Sequence, residues 1–270
     1  MSFPALMGIL NLTPDSFSDG GALPTVEAAV RRAWQLVEDG AAIVDVGGES
    51  TRPGAAPVDV ATEISRVLPV LEALRDLPAQ LCIDTYKPEV ARAAVERGAV
   101  WVNDITGLRS PAMLDFVAQS GVGVVIMHMR GTPQEMQRGE IDYSDVVAEV
   151  REFLAGALER FEAAGGERAR VMVDPGIGFG KTTLHNLELT RRLGELGDLG
   201  CPVLYGASRK NFLGEIVGKP PGERDLATAA ACVAAVLAGA SVLRVHNVAL
   251  VGEAVRVAAA CRRLDFEPEP

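Results

Sequence analysis

Cationic residues are scarce in this chain. Its 270 residues carry 26 Lys and Arg against 36 Asp and Glu, a formal charge of −10. That balance excludes a general nucleic-acid or anionic-membrane surface, so an anionic ligand must be met by a local positive cluster. Cysteine is equally thin. Cys82, Cys201, Cys232 and Cys261 lie far apart, with no Cys-x-x-Cys, so neither a zinc knuckle nor a disulfide framework is signalled, as suits a reducing cytoplasm. Histidine occurs three times, and no His/Asp/Glu set has zinc spacing. The Gly-x-Ser-x-Gly elbow is missing too, which leaves a hydrolase reading without support. The N-terminus lacks the basic region and long apolar core of a signal peptide. The apolar run Leu226–Leu243 approaches the roughly 20 residues of a membrane span, but it is alanine-rich and broken by Gly239-Ala-Ser. It reads as a packed helix followed by a strand.

What is present is a rhythm. A short strand-like run, a loop of variable length and an amphipathic helical stretch recur eight times. The strand-like runs are Ala5–Leu10, Ile43–Val46, Leu81–Ile83, Val100–Val102, Val122–Met127, Val171–Val173, Val203–Tyr205 and Val242–Val245. They are almost wholly apolar, as parallel strands buried on both faces are. Helical patterns follow near 26–39, 59–76, 88–97, 112–120, 145–164, 184–197, 226–238 and 249–264. In the fifth, Val146, Val150, Phe153, Leu154, Ala157, Leu158 and Phe161 share one stripe. Pro88 suits a first helical position, and Gly98 the stop of that helix. Eight such units, uninterrupted by a linker across a single domain 1–270, predict an α/β fold. The specific expectation is a (β/α)8 TIM barrel with the active site at the C-terminal ends of its strands. A doubly wound open sheet is the alternative.

Unusual polar residues collect at those strand ends. They include Asn11 and a loop to Gly21 containing Phe17, then Asp45 and Glu49-Ser-Thr51-Arg52-Pro53, then Asp84. Asn103, His128, Asp174, Ser208-Arg-Lys210-Asn211 and Arg244-Val-His246 follow. The opposite ends carry ordinary turn residues. The most informative stretch is Asp174-Pro-Gly-Ile-Gly-Phe179-Gly-Lys181, a glycine-rich loop beside an acid. Gly180-Lys-Thr mimics a phosphate-binding loop, but Pro175 stands where that motif needs glycine, and the dinucleotide fingerprint would need glycine at Lys181. An ATP or NAD loop is excluded.

Each residue also has a plainer reading. Asp84 could cap the helix that starts near Pro88, Asn103 could hold a loop backbone, and Asp174 could cap a helix, although no helical pattern resumes until about Thr183. Taken together, Asp84, Asn103 and Asp174 converge on one barrel mouth. A buried unpaired carboxylate costs several kcal/mol against a total stability of roughly 5–15 kcal/mol. Lys210 alone cannot serve both acids, whereas a ligand with a row of N–H donors would. Arg52, Arg244 and His246 supply a local positive cluster. Arg244 and His246 alternate along the chain, so both point to one face, an arrangement for gripping phosphate. Phe17 reads as a lid contact, His185 as a helix-surface residue, and His128 receives no role.

These motifs carry a family resemblance over nearly the whole chain. Gly8–Gly21, Asp45–Gly54, Asp174–Lys181, Ala207–Lys210 and Arg244–His246 resemble the dihydropteroate synthases. The resemblance implies condensation of 6-hydroxymethyl-7,8-dihydropterin diphosphate with p-aminobenzoate, releasing pyrophosphate. It implies that Asp84, Asn103, Asp174, Lys210 and Arg244 hold the pterin, with Asp84, Asp174, Lys210 and Arg244 catalytic. Phe17, Thr51, Pro53, Phe179, Lys210 and Asn211 would border p-aminobenzoate. Asn11, Thr51, Arg52, Arg244 and His246 would meet the diphosphate, Asn11 also as a ligand of Mg²⁺. A cytoplasmic homodimer with small-molecule substrates, and with no nucleic-acid or membrane partner, is expected. Two positions depart from the family pattern, which commonly has serine where Asn211 stands and aspartate where Asn247 stands. A pterin-binding barrel of a corrinoid-dependent methyltransferase and a non-catalytic paralogue are the competing readings. The Ser208-Arg-Lys run and the first two loops argue against the former, and the filled motif positions against the latter.

Overall fold

Short runs of Val, Ile and Leu become strands here because each pairs on both sides and packs on both faces. The computed structural model describes residues 4–13, 25–50, 55–132, 135–136 and 139–263. Its strands are β1 (Ala5–Asn11), β2 (Ile43–Gly47), β3 (Gln80–Asp84), β4 (Trp101–Asp104), β5 (Gly123–Met127), β6 (Val171–Asp174), β7 (Leu204–Tyr205) and β8 (Val242–Val245). All pairings are parallel, in the order β6-β5-β4-β3-β2-β1-β8-β7. The two ends of that sheet meet through one bridge, Val173 to Val203, reinforced by Val173 N donating to Pro202 O at 3.0 Å. The eight strands form a nearly closed TIM barrel, as the sequence predicts.

Helices surround it: α1 (Val26–Glu38), α2 (Val60–Ala73), α3 (Pro88–Val95), α4 (Pro111–Ser120), α5 (Val146–Ala163), α6 (Thr183–Arg191), α7 (Asn211–Val217), α8 (Asp225–Leu237) and α9 (Val248–Arg263). Side-chain caps fix several starts, with Thr25, Asp59, Ser110 and Asp145 accepting from first-turn N–H groups. The sequence rhythm misses α7, whose seven residues are too few to display a helical period before Gly218 ends it. It also merges α6 with the separate 3₁₀ turn Leu193–Leu199.

The main core lies between strands and helices, with Val44, Val46, Ile83, Val124 and Ile126 meeting Leu36, Leu71, Val117 and Phe161. A smaller core plugs the barrel, made of Met7, Ile43, Cys82, Val125, Met172, Leu204 and Val242, with Ala5 and Trp101 against it. None of the four cysteines is in a disulfide.

Candidate active site

Side chains alternate along a strand, so the residue two steps beyond each member of the plug shares its inward face. Those residues are Ile9, Asp45, Asp84, Met127, Asp174 and Arg244, with Asn103 two steps beyond Trp101 and Gly206 two beyond Leu204. The apolar plug is therefore roofed by a layer rich in charge, and strands rather than loops hold it.

Arg244 organises one half of this layer. Its Nε donates to Asp45 Oδ2 at 2.5 Å and its Nη2 to Asp84 Oδ2 at 2.6 Å. Asn103 Nδ2 also donates to Asp45 Oδ2, at 3.2 Å. The remaining oxygens, Asp45 Oδ1, Asp84 Oδ1 and Asn103 Oδ1, are buried without a hydrogen-bond partner. Two carboxylates thus share one guanidinium. Burial pushes the Asp84 carboxyl up to about 7 against the pull of Arg244, and the neighbouring Asp45 adds to the rise. Asp84 caps nothing: α3 is preceded by Lys87 and has no side-chain cap.

Asp174 and Lys210 form the other half. Asp174 Oδ1 accepts from Gly176 N at 2.6 Å, while Lys210 Nζ donates to Ile177 O and lies 4.6 Å from the Phe179 ring centroid. Burial raises the Asp174 pKa, opposed first by Lys210. Burial lowers Lys210 to about 8, opposed by Asp174. The halves meet at Gly206, where a Cβ would sit 3.8 Å from both Arg244 Cβ and Asp174 Oδ2. Ile105, Met127, Met129 and Met136 form an apolar wall beside them, with Tyr86 and Phe179 packed against it.

The loop after β7 turns sharply enough to present both Ser208 and Lys210. Arg209 adopts φ 58°, a left-handed conformation costing a non-glycine residue about 1–3 kcal/mol unless its surroundings impose it. They do. Its side chain forks onto Asp225 at 2.7 and 2.9 Å, its N donates to Thr228 Oγ1 at 3.0 Å, and its O accepts from Arg224 Nη1 at 3.0 Å. Ser208 Oγ lies 2.9 Å from His246 Nδ1. Asn211 is exposed, and its Oδ1 accepts from Arg224 Nη1 at 3.2 Å. Asn247 donates to Asp225 Oδ2 at 2.9 Å and accepts from Leu250 N in the first turn of α9.

Asn11 ends β1 opposite Gly47, which ends β2; a Cβ on Gly47 would lie 3.5 Å from both Asn11 Oδ1 and Asp84 Cβ. Lys87 pins the stem of the next loop, donating to Glu49, to Glu63 Oε2 at 2.5 Å and to Val58 O at 2.7 Å. Tyr86 Oη adds a bond to Glu49 Oε1 at 2.8 Å.

A barrel mouth with fixed carboxylates, two cations, an apolar wall and buried acceptors is a site for a flat, donor-rich ring. Comparison with known proteins gives that site a lineage. Residues 7–246 match the family model described as pterin binding enzyme. The dihydropteroate synthase of Escherichia coli strain K12 is 44% identical over 258 residues, covering 95% of this chain and 91% of that protein. The chain belongs to the dihydropteroate synthase family. Two crystal structures of members superpose closely. The Xanthomonas albilineans enzyme with 4-aminobenzoic acid has a TM-score of 0.90 at 47% identity, covering 97% of this chain and 94% of that one. The Burkholderia cenocepacia enzyme complexed with 7,8-dihydropteroate has a TM-score of 0.88 at 46% identity, covering 97% and 92%. Membership of the dihydropteroate synthases makes this chain a transferase of folate biosynthesis.

The residues singled out in the sequence divide into three groups. Asp84, Asn103, Asp174, Lys210, Arg244 and Phe179 are brought together at the mouth, with Asn11 beside Asp84. His246 joins Ser208 at the rim, and Asn211 faces Arg224. Phe17, Thr51, Arg52 and Pro53 lie outside the described residues. Sequence reasoning assigned no role to Asp45, the buried carboxylate beneath both Arg244 and Asn103, nor to the Ile105–Met127 wall. The signal for Asp45 was a charge in mid-strand within Ile43-Val-Asp-Val-Gly47, where a strand buried on both faces should carry none.

Proposed function

We propose that the barrel mouth condenses 6-hydroxymethyl-7,8-dihydropterin diphosphate with p-aminobenzoate and releases pyrophosphate. The observation that carries this reading is the set of buried, unpartnered acceptors on Asp45, Asp84 and Asn103. A pterin edge presents adjacent N–H donors that would satisfy them, and unpaired buried acceptors are costly otherwise. Asp174 and Lys210 hold the ring from the opposite side, and Phe179 and Lys210 border the arylamine. Departure of pyrophosphate leaves positive charge on the methylene, delocalised into the pterin. Fixed carboxylates stabilise that charge without reorganising, while Arg244, Arg52 and His246 stabilise the leaving group. An arylamine is a neutral nucleophile at pH 7, so attack needs no strong base. The test is pyrophosphate release. It should require both substrates together, and release with either one alone would reject the reading.

Asn11 suits Mg²⁺ as a single oxygen ligand, since Gly47 has no side chain to cover its Oδ1. Among the described residues no group of His, Cys, Asp or Glu could hold a metal alone, so the diphosphate would supply further oxygens. When bound, the ion would neutralise charge on the departing diphosphate. A homodimer is favoured by exposed apolar side chains on the neighbouring helices α6, α7 and α8, namely Leu184, Leu187, Ile216, Val217 and Leu226. A cytoplasmic location is favoured by the free thiols, three of them buried, and no described helix is long and apolar enough to cross a membrane.

Pterin binding should release protons in a defined direction. The Asp84 pKa stands at about 7 in the free site. N–H donors favour the ionised carboxylate, so its pKa falls on binding. Calorimetry with the free pterin alcohol in buffers of different ionisation enthalpy should find about half a proton released per site near pH 7. Asp84 should contribute none near pH 9, where it is already ionised. Proton uptake at pH 7 would contradict the assignment.

A further inference from the structure

The phosphate-loop mimic at 180–182 and the role-less His128 prove to be one structure. Lys181 Nζ lies 2.8 Å from His128 Nδ1, 3.0 Å from Gly176 O and 3.1 Å from Phe179 O. Its Nζ thus reaches three acceptors, although burial pushes its pKa well below the usual lysine value. His128 accepts through Nδ1 when it is neutral with its proton on Nε2. That agrees with its burial and with Lys181 and Arg109 nearby, all of which push its pKa far down. Its ring stands edge-on to Phe153 at 5.0 Å, and its backbone N donates to Asp174 O at 3.0 Å.

Lys181 is only 3% exposed, and among the described residues no carboxylate forms a salt bridge with it. Burying an amine without an ion-pair partner is expensive, and burial pushes its pKa well down, yet removing it would strip three buried acceptors of their donor. Its contacts show what the amine does. It holds the turn Gly176–Phe179 by its first and last carbonyls, while Lys210 holds the same turn from the other side at Ile177 O. The turn's first N–H anchors Asp174, and its last side chain lies against the Lys210 Nζ.

We propose that Lys181, backed by His128, is a positioning residue that sets Phe179 and Asp174 against Lys210 and so shapes the p-aminobenzoate side of the cleft. The proposal rests on the reading of Phe179 as part of the p-aminobenzoate wall. Displacing a positioned group by about 1 Å costs up to about a hundredfold.

The test is Lys181→Met, with the KM for each substrate, kcat and Tm measured separately. The KM for p-aminobenzoate should rise about 10–100-fold, more than that for the pterin diphosphate, beside whatever fall in Tm follows from leaving three buried acceptors without their donor. In a Phe179→Ala background the same substitution should raise that KM far less, because the two residues act in series. His128→Asn, which keeps an acceptor near the Nδ1 position, should retain most of the function, and His128→Leu should mimic Lys181→Met. These two variants carry the test if Lys181→Met does not fold. A lowered Tm with the p-aminobenzoate KM within twofold, or full additivity with Phe179→Ala, would reduce Lys181 to a structural residue and overturn the proposal. Failure of the unsubstituted protein to release pyrophosphate would instead reject the reading of the site on which it rests.

Discussion

Arg244→Ala is expected to cost about 3–5 kcal/mol of stability, because it leaves two buried carboxylates without their shared cation. For a chain of this size that loss lowers Tm by on the order of 10 °C. The deficit should depend on pH in a stated direction. In the intact protein the Asp84 pKa is raised by burial to about 7, so the folded state binds more protons than the unfolded one below that value. The stability this provides is fully present below the unfolded carboxyl value of about 3.9 and is lost as pH rises through about 7. Without Arg244 the folded pKa climbs further, and protonation relieves the unpaired charge. The Tm deficit should therefore be smaller at pH 5 than at pH 8. A deficit of equal size at both pH values would mean that the guanidinium contributes packing rather than charge. Pterin affinity should fall in parallel, since Arg244 fixes Asp84 and, through Asp45, Asn103.

Gly176→Ala should abolish condensation while leaving the barrel folded. The position has φ 67°, and a Cβ there would lie 1.8 Å from His128 O. The left-handed conformation alone costs an L-residue about 1–2 kcal/mol. The overlap is worse, because the obstructing oxygen belongs to backbone at the end of β5 and no side-chain rotation relieves it. The turn must move away, breaking the Gly176–Asp174 bond and the Lys181 contact together. A loss of at least about a hundredfold in kcat/KM is expected from such a displacement. Gly222→Ala, where nothing lies within 4 Å of the added atom, is the control and should behave as the unsubstituted chain. Activity within tenfold for Gly176→Ala would show that the turn has slack this structure does not display.

The eight-unit repeat and the acid beside a glycine loop were readable because each is local. Apolar runs mark strands and a 3.6-residue period marks helices, so barrel order follows from counting. What counting missed has a consistent cause. Predicted strands stopped at their last apolar residue, whereas the ladders continue through Asn11, Gly47, Asp84, Asp104 and Asp174. The polar roof is therefore part of the sheet. Pairings such as Arg244 with Asp45 join residues 199 positions apart, and no local pattern announces them. The alternation rule would have found Asp45, since it stands two residues after Ile43 just as Asp84 follows Cys82 and Arg244 follows Val242. Lys181 was hidden differently. As part of a false nucleotide motif it was excluded rather than assigned.

The single bridge between β6 and β7 gives the barrel a seam, and the proposed substrate would lie across it. Asp174 ends the strand on one lip; Gly206, Ser208 and Lys210 leave the strand on the other. Elsewhere around the ring neighbouring strands share longer ladders, so spontaneous parting begins where the fewest bonds must break. A pterin held by Asp174 on one lip and Lys210 on the other is a clasp. It would fasten the ring at its weakest stave, so that the bound molecule would complete the barrel's own circumference.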